Sequence, residues 1–373
     1  MKKESLYLIV AMTLITSVVS VGCVNEARMG NASAIDTALG DYQSASNEST
    51  QAPSLGSSTL TPLSLQEETQ EPLTLTSIDV GRADALLLSY PDSSLRTHYM
   101  LIDGGTSNGW PLVKAFLESR NITYLDAIVC THEHDDHLNG LIELLKSDIG
   151  VGRAYDAGFL VCREGWPGYP EAQEYLQLLA EKNVQRGIVL VGDEIDSRNP
   201  DITIRVLNPD PDNIIVSPTG NKYESANANC IALEITYKDA RFLLMGDALP
   251  TSYAQMMSRG YIGQADVLKV SHHGLIDGDT EYKEFLRTVQ PKYAIMTCGC
   301  YRLDNETQWR CYMGSNTTQL FSSARVYSSA CNGDIAISTD GSGGLGRVYY
   351  DVKTTKDLPL GLCIEECNRS CKA

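Results

Sequence analysis

The hydrophobic pattern divides the chain into three stretches. Leu6 to Val21 is apolar apart from scattered Ser and Thr, residues 25–72 show no sustained periodicity, and a regular pattern begins at Leu73. Leu73-Thr74-Leu75-Thr76-Ser77-Ile78-Asp79-Val80 alternates as a half-buried strand does, and Ala85 to Tyr90 reads as its hairpin partner. Tyr99 to Ile102 predicts a third strand, ending at Asp103-Gly104-Gly105. Val113, Phe116 and Leu117 share one helical face, Leu125 to Cys130 forms another strand, and Leu138 to Leu145 is the helix that follows. Ile231–Tyr237 and Arg241–Met245 make a hairpin closing at Gly246-Asp247. Val267-Leu268-Lys269-Val270 is a short buried strand that leads into Ser271-His272-His273-Gly274. Strands that arrive in pairs with helices between them predict two sheets flanked by helices, an α/β architecture, rather than one doubly wound sheet.

The two N-terminal stretches change where this body is placed. Lys2 and Lys3 precede the apolar run and Gly22-Cys23 follows it, the layout of a lipoprotein signal whose cysteine becomes the lipidated first residue. The rival reading is an uncleaved anchor helix, because the run is only slightly shorter than the roughly 20 residues that span a bilayer. Both readings put the body outside the cytoplasm, membrane-anchored or secreted. Residues 24–72 are rich in Ser, Thr, Gln and Glu, with Pro53, Pro62 and Pro72 interspersed, and read as a disordered polar tether. The expected organisation is a signal peptide at 1–23, the tether at 24–72, a globular domain at 73–355 and a Cys-rich tail at 356–373.

Composition adds limits. The hydrophobic fraction of 43% is ample for a buried core. The net charge of −17 argues against a broad basic surface for polyanions. It leaves a nuclease open, since bound divalent cations supply local positive charge. Besides Cys23 there are ten cysteines, among them the cluster Cys298, Cys300, Cys311 and Cys331 and the terminal set Cys363, Cys367 and Cys371. In an exported chain these point to disulfides more than to a zinc cluster, which no nearby His completes. Cys130 and Cys230 read as buried strand residues. Six Asn-x-Ser/Thr sequons fit an exported chain.

The candidate chemistry lies in Thr131-His132-Glu133-His134-Asp135-Asp136-His137, directly after a strand. In an extended segment residues two apart point the same way, so His132 and His134 grip one metal, while Asp136 and His137 face a second from the turn into the next helix. Imidazole and carboxylate suit zinc and, less selectively, manganese or iron. Of the six histidines, three lie in this motif, two are His272 and His273, and His98 stands apart.

His132-x-His134-x-Asp136-His137 followed by Gly140 resembles the signature of the metallo-β-lactamase superfamily. Further segments are similar to the soluble hydrolase domain of the DNA-uptake protein ComEC and its free-standing relatives. They are Ile78 to Ala85, Leu101 to Gly105, Asn229 to Leu233, Phe242 to Asp247 and Ala265 to Gly274. They run in family order from about Leu73 to Val352, while the membrane channel of the competence protein is absent. The resemblance implies an αββα four-layer sandwich and a dinuclear metal-dependent hydrolase with two divalent ions, zinc first and manganese second. It implies that Asp247 bridges both ions and that His273 completes the second site, with His272 in a supporting or proton-transfer role. Asp79 is expected to brace the His loop, and Asp103 is a second candidate for that work. Asp136, Asp247 and His272 are the candidate catalytic residues; His132, His134, Asp136, His137, Asp247 and His273 are the candidate ligands. Asp247 draws independent weight from its place after the apolar run Phe242–Met245, where a carboxylate needs a partner to offset its desolvation.

The departures from the family are also specific. Ala83 stands where relatives carry Gly, and Cys230 and Leu275 where they carry Ser or Thr. No His lies between Lys146 and Lys269, where the wider superfamily places another ligand. The competence-type branch carries an Asn-rich segment there, matched by Asn227 and Asn229. A late Gly-His-Pro is replaced by Leu303-Asp304-Asn305-Glu306-Thr307. The expected substrate is a phosphodiester, in nucleic acid or in a phosphorylated surface polymer. The membrane contact is the N-terminal anchor, and no protein partner is implied. The competing readings are a lactone or amide hydrolase, and a non-catalytic metal-binding lipoprotein.

Overall fold

A computed structural model describes residues 71–275, 280–298, 320–321, 323–342 and 348–358, and the backbone of 300–302 and 309–311. The first half of this region runs β1 (Leu73–Ser77), β2 (Leu86–Pro91), β3 (Thr97–Ile102), α1 (Trp110–Glu118), β4 (Tyr124–Val129), α2 (Asp135–Lys146), β5 (Gly150–Asp156), α3 (Tyr169–Glu181) and β6 (Gln185–Ile188). The second runs β7 (Glu194–Ile195), β8 (Ile202–Asn208), α4 (Lys222–Ala228), β9 (Ala232–Tyr237), β10 (Ala240–Leu244), α5 (Pro250–Ser258), β11 (Val267–Lys269), α6 (Thr280–Val289) and β12 (Tyr293–Met296). A small hairpin of β13 (Cys300–Arg302) and β14 (Trp309–Cys311), then β15 (Arg325–Ser328), β16 (Ile335–Thr339) and β17 (Asp351–Thr354), completes it.

Two sheets result, ordered β17-β16-β1-β2-β3-β4-β5-β6 and β15-β12-β11-β10-β9-β8-β7. Three apolar clusters account for the layering. Alternate residues of both sheets (Leu73 and Leu75, Met100 and Ile102, Ile204 and Val206, Leu233 and Ile235, Phe242 and Leu244) meet in one inter-sheet core. Outward-facing Leu101, Ile128 and Cys130 pack with Val113 and Phe116 of α1, Leu141 and Leu145 of α2, and Tyr175 of α3. On the far side Leu243, Leu268 and Met296 pack with Tyr253 and Met256 of α5 and Phe285 of α6. Period-two alternation in strands buried on both faces, against period-3.6 faces in the helices, thus yields the helix–sheet–sheet–helix order of the αββα sandwich.

The two sheets are built alike. Each has an antiparallel part and a parallel part, β3-β4-β5-β6 in one and β10-β11-β12-β15 in the other; α1, α2 and α3 lie between successive strands of the first, and α5 and α6 between those of β10-β11-β12. Parallel strands end at the same edge, so the segments after β3, β4, β10, β11 and β12 all emerge together. In open α/β sheets the crevice outside the carboxyl ends of strands is where ligands bind. The His loop, Leu101–Gly105, Phe242–Asp247 and Ala265–Gly274 each contain or follow one of these strand ends, and Asn229–Leu233 leads into the start of β9, beside the end of β10.

The signal, the tether up to residue 70, and most of the Cys-rich tail lie outside the described residues. Among the described residues no helix is long and apolar enough to cross a membrane.

Candidate metal centre

The loop from Cys130 to His134 is held before it reaches the site. The Cys130 amide donates to Tyr155 O at 2.8 Å, and the Ile231 amide donates to Thr131 O at 2.9 Å, so both sheets grip it. His134 is extended (ψ 151°) as the residue preceding α2, which keeps its side chain on the same side as that of His132. Their Nε2 and Nδ1 atoms stand 3.0 Å apart. α2 then places Asp135 and Asp136 in its first turn, where the helix dipole favours carboxylates. Its register against β3 is fixed by Gly104 and Gly140. The Gly104 amide donates to His137 O and the Gly140 amide to Gly105 O, each at 2.8 Å. A Cβ on Gly140 would run into the Gly104 carbonyl.

Five of the six histidines converge here with Asp136 and Asp247. His132, His134 and Asp247 form one set whose ligand atoms lie within 4.8 Å of one another; Asp136, His137 and His273 form a second. Asp247 lies between them: Oδ1 is 3.3 Å from His137 Nε2, and Oδ2 is 4.0 Å from His132 Nε2 and 3.6 Å from His273 Nε2. Asp136 Oδ2 is 3.2 Å from His273 Nε2. The sixth histidine, His98, lies elsewhere, between Asp126 (2.6 Å) and Asp92 (3.1 Å).

Two buried carboxylates orient the second set. Asp103 accepts from His137 Nδ1 at 2.7 Å and from the Thr131 amide and hydroxyl at 2.8 and 2.7 Å. Asp84 pairs with His273 Nδ1 at 3.2 Å and also holds the fully buried Lys269 ammonium and the Thr297 hydroxyl. Each carboxylate engages the far nitrogen of an imidazole and leaves Nε2 facing inward, the arrangement that fixes a metal-binding tautomer. His272 and His273 are consecutive left-handed residues (φ 49° and 55°), an unfavourable backbone that aims both rings at the centre. His273 is fully buried. His272 is 23% exposed at its side chain, 3.8 Å from Asp247 Oδ2 and 3.4 Å from Asn227 Nδ2.

Electrostatics favour cations here. Burial holds His132 well below the usual imidazole range and brings His134 down to about 4, so both stay neutral with a lone pair free. Burial opposes charge at both His273 and His137, yet Asp247 and Asp84 push His273 up to about 9, and Asp247 and Asp103 hold His137 well above the usual imidazole range. Asp247 stays ionised despite its burial because His137, His273 and His272 surround it. The negative charge that draws protons onto His137 and His273 equally draws metal ions. Among the described residues, Nε2 of His137, Nε2 of His273 and Oδ1 of Asp247 are buried without a hydrogen-bond partner, although they lie within a few ångströms of one another. Such orphaned atoms are rare in folded proteins. Together with the donor set they fit a pair of divalent ions.

One expectation is corrected. Asp79 does not brace the His loop: its carboxylate binds Lys356 at 2.9 Å and receives the Gly81 amide at 3.4 Å. β1 ends at Ser77, two residues too early to carry Asp79 to the strand-end crevice. Asp103 and Asp84 do that work. Asp84, Lys269 and Thr297 are the residues to which the motifs gave no role. Lys269 carried a signal, since a lysine inside the apolar strand Val267–Val270 must find a buried carboxylate. Of the two asparagines, Asn229 ties down the end of α4, donating to Ile215 O at 2.6 Å and Ser225 O at 2.7 Å. Asn227 alone faces the centre.

Known proteins resemble this chain in sequence and fold. A sequence profile of the metallo-beta-lactamase superfamily matches residues 95–297. ComE operon protein 3 of Bacillus subtilis (strain 168) is 30% identical over 239 residues, 60% of this chain and 28% of that protein, so the match spans little more than a quarter of the relative. Two solved structures also align. The metallo-beta-lactamase fold protein YhfI of Bacillus subtilis does so at 12% identity and TM-score 0.42, over 68% of this chain and 96% of that one. A putative metal-dependent hydrolase of Parabacteroides distasonis does so at 15% identity and TM-score 0.38, over 69% and 92%.

Proposed function

The chain belongs to the metallo-beta-lactamase superfamily of hydrolases, and on that footing we propose that it is an exported, membrane-anchored phosphodiesterase working with two divalent cations. Zinc is the first choice and manganese the second. The observation that carries this reading is the pair of ligand sets, His132/His134/Asp247 and Asp136/His137/His273, with Asp247 set between them as a bridge. Bound there, the two ions supply Lewis acidity toward a phosphoryl oxygen and lower the pKa of an attacking water.

The chain's own groups do the rest. Asp247, whose carboxylate lies within 4.0 Å of imidazoles of both sets, would hold both ions. Asp136 and Asp247 are the acceptors in reach of the attacking water's proton. His272 stands at the open side of the centre, where it would stabilise the leaving oxygen or, once protonated, donate to it. Asn227, 3.4 Å from His272 Nε2, keeps that ring aimed. A phosphodiester is favoured over a lactone or amide by the likeness of Ile78–Ala85 and Ala265–Gly274 to the competence-type branch. Lys2, Lys3, the apolar run Leu6–Val21 and Gly22-Cys23 support export, with residues 24–72 as a tether.

The test is a substrate screen on protein of known metal content, using bis-p-nitrophenyl phosphate, single-stranded DNA, a lactone and a β-lactam. Metal-dependent turnover of the phosphodiesters is expected. Efficient cleavage of the lactone or β-lactam with phosphodiesters untouched would show that the centre serves another ester or amide.

A further inference from the structure

An open groove of about 370 Å³ adjoins the metal centre on its His134 side. That is the low end of ordinary ligand sites, roughly 300–1,000 Å³. Its wall on the centre's side is α4, whose first turn delivers Tyr223; this ring is 56% exposed and sits 5.1 Å from the His134 ring. The opposite wall carries Trp166. Lys222 Nζ lies 5.4 Å and Arg163 Cζ 5.2 Å from the Trp166 ring centre, so the indole holds two cations at the rim. Among the described residues neither cation is paired with a carboxylate. Asp135 and Glu171 add acceptors along the groove. The Trp166 wall is seated directly on the metal loop: Gly168 has φ 77°, and a Cβ there would strike the backbone carbonyl of Glu133.

An exposed ring beside a hydrolytic centre, cations stacked on the Trp166 wall of the same groove, and hydrogen-bond acceptors lining it form a complementary set. They match a base to stack, a neighbouring phosphate and sugar or base N–H and O–H groups. We propose that this groove binds the nucleoside flanking the scissile phosphodiester, with Tyr223 as its stacking surface. The enzyme is thereby directed to short nucleotide diesters rather than long polymers. The net charge of −17 supports the second half, because it argues against a broad basic surface along which a longer polyanion would gain affinity. The inference rests on the phosphodiesterase reading above.

The experiment compares kcat/KM of the metal-loaded full chain on methyl p-nitrophenyl phosphate and on the p-nitrophenyl ester of thymidine 5′-phosphate. Wild type is expected to prefer the nucleoside ester. Tyr223→Ala should shrink that preference roughly 5- to 150-fold, the span of one base–aromatic stack, and Tyr223→Trp should restore it. Equal rates on the two esters in wild type, or an unchanged ratio in Tyr223→Ala, would overturn the proposal. So would an efficiency on oligothymidylates that keeps climbing from two to twenty nucleotides. If the loaded enzyme cleaves no phosphodiester at all, the underlying reading fails separately. Calorimetric titration with thymidine 5′-phosphate then decides the groove: binding that Tyr223→Ala abolishes sustains it, and no binding overturns it.

Discussion

The two ligand sets differ in how they are held. Asp136, His137 and His273 sit against a buried scaffold: Asp103 fixes one imidazole, and Asp84 with Lys269 and Thr297 fixes the other. His132 and His134 have little behind them, a Thr131 hydroxyl 3.0 Å from His132 Nδ1 and the exposed ring of Tyr223 against His134. The first set also lacks the histidine that the wider superfamily supplies. One half of the centre is therefore braced by buried carboxylates, and the other, held through its backbone, has fewer side-chain partners and lies beside the groove. Rigid support where cations are anchored, and open coordination where substrate enters, is the division of labour this contrast suggests.

The strongest way to break the contrast is to remove the group both halves share. Asp247→Ala should abolish turnover and leave less than one metal equivalent per chain, as read by elemental analysis. Next comes His272→Ala. A roughly 10²- to 10⁴-fold fall in kcat with metal content intact is expected of a proton donor. Collapse of metal content would instead make His272 a ligand and exchange its role with that of His273.

Lys269→Met sharpens the difference between the halves. Stranding Asp84 without its cation in a fully buried site should cost about 3–5 kcal/mol of stability, measured by urea unfolding of metal-free protein. Lys269→Met combined with Asp84→Asn should recover a good part of that loss, since no uncompensated charge remains. A single variant as stable as wild type would show that the pair contributes no support. The smallest of these effects is expected from Asp103→Asn. It should weaken the second ion about 10- to 100-fold in competition with a chelator while leaving the first within a few-fold. Equal weakening of both ions would mean that the bracing is not confined to one half.

How much of this was legible beforehand follows the same divide between local and long-range information. The strand before the His loop, the helix after it and the hairpin at Gly246-Asp247 were readable because hydrophobic periodicity is local. The ligand candidates were readable because five histidines occupy two short motifs. The pairing of β16 with β1 was not readable, since nothing near Leu73 records that Thr339 will lie opposite it. Asp84 was missed for a related reason. It stands in the turn after β1, and only the packing of that turn against β11 and β12 brings its carboxylate to Lys269, His273 and Thr297. Asp79, five residues earlier, looked equivalent in sequence and ends up beside Lys356.

Metal stoichiometry tests the central claim most directly. Purified chain should be stripped, reloaded with zinc or manganese and assayed beside His134→Ala. Two equivalents in wild type and one in His134→Ala are expected, with the remaining ion in the set braced by Asp103 and Asp84. A wild type that saturates at one equivalent, or a variant that retains both, would contradict a two-metal centre divided in this way.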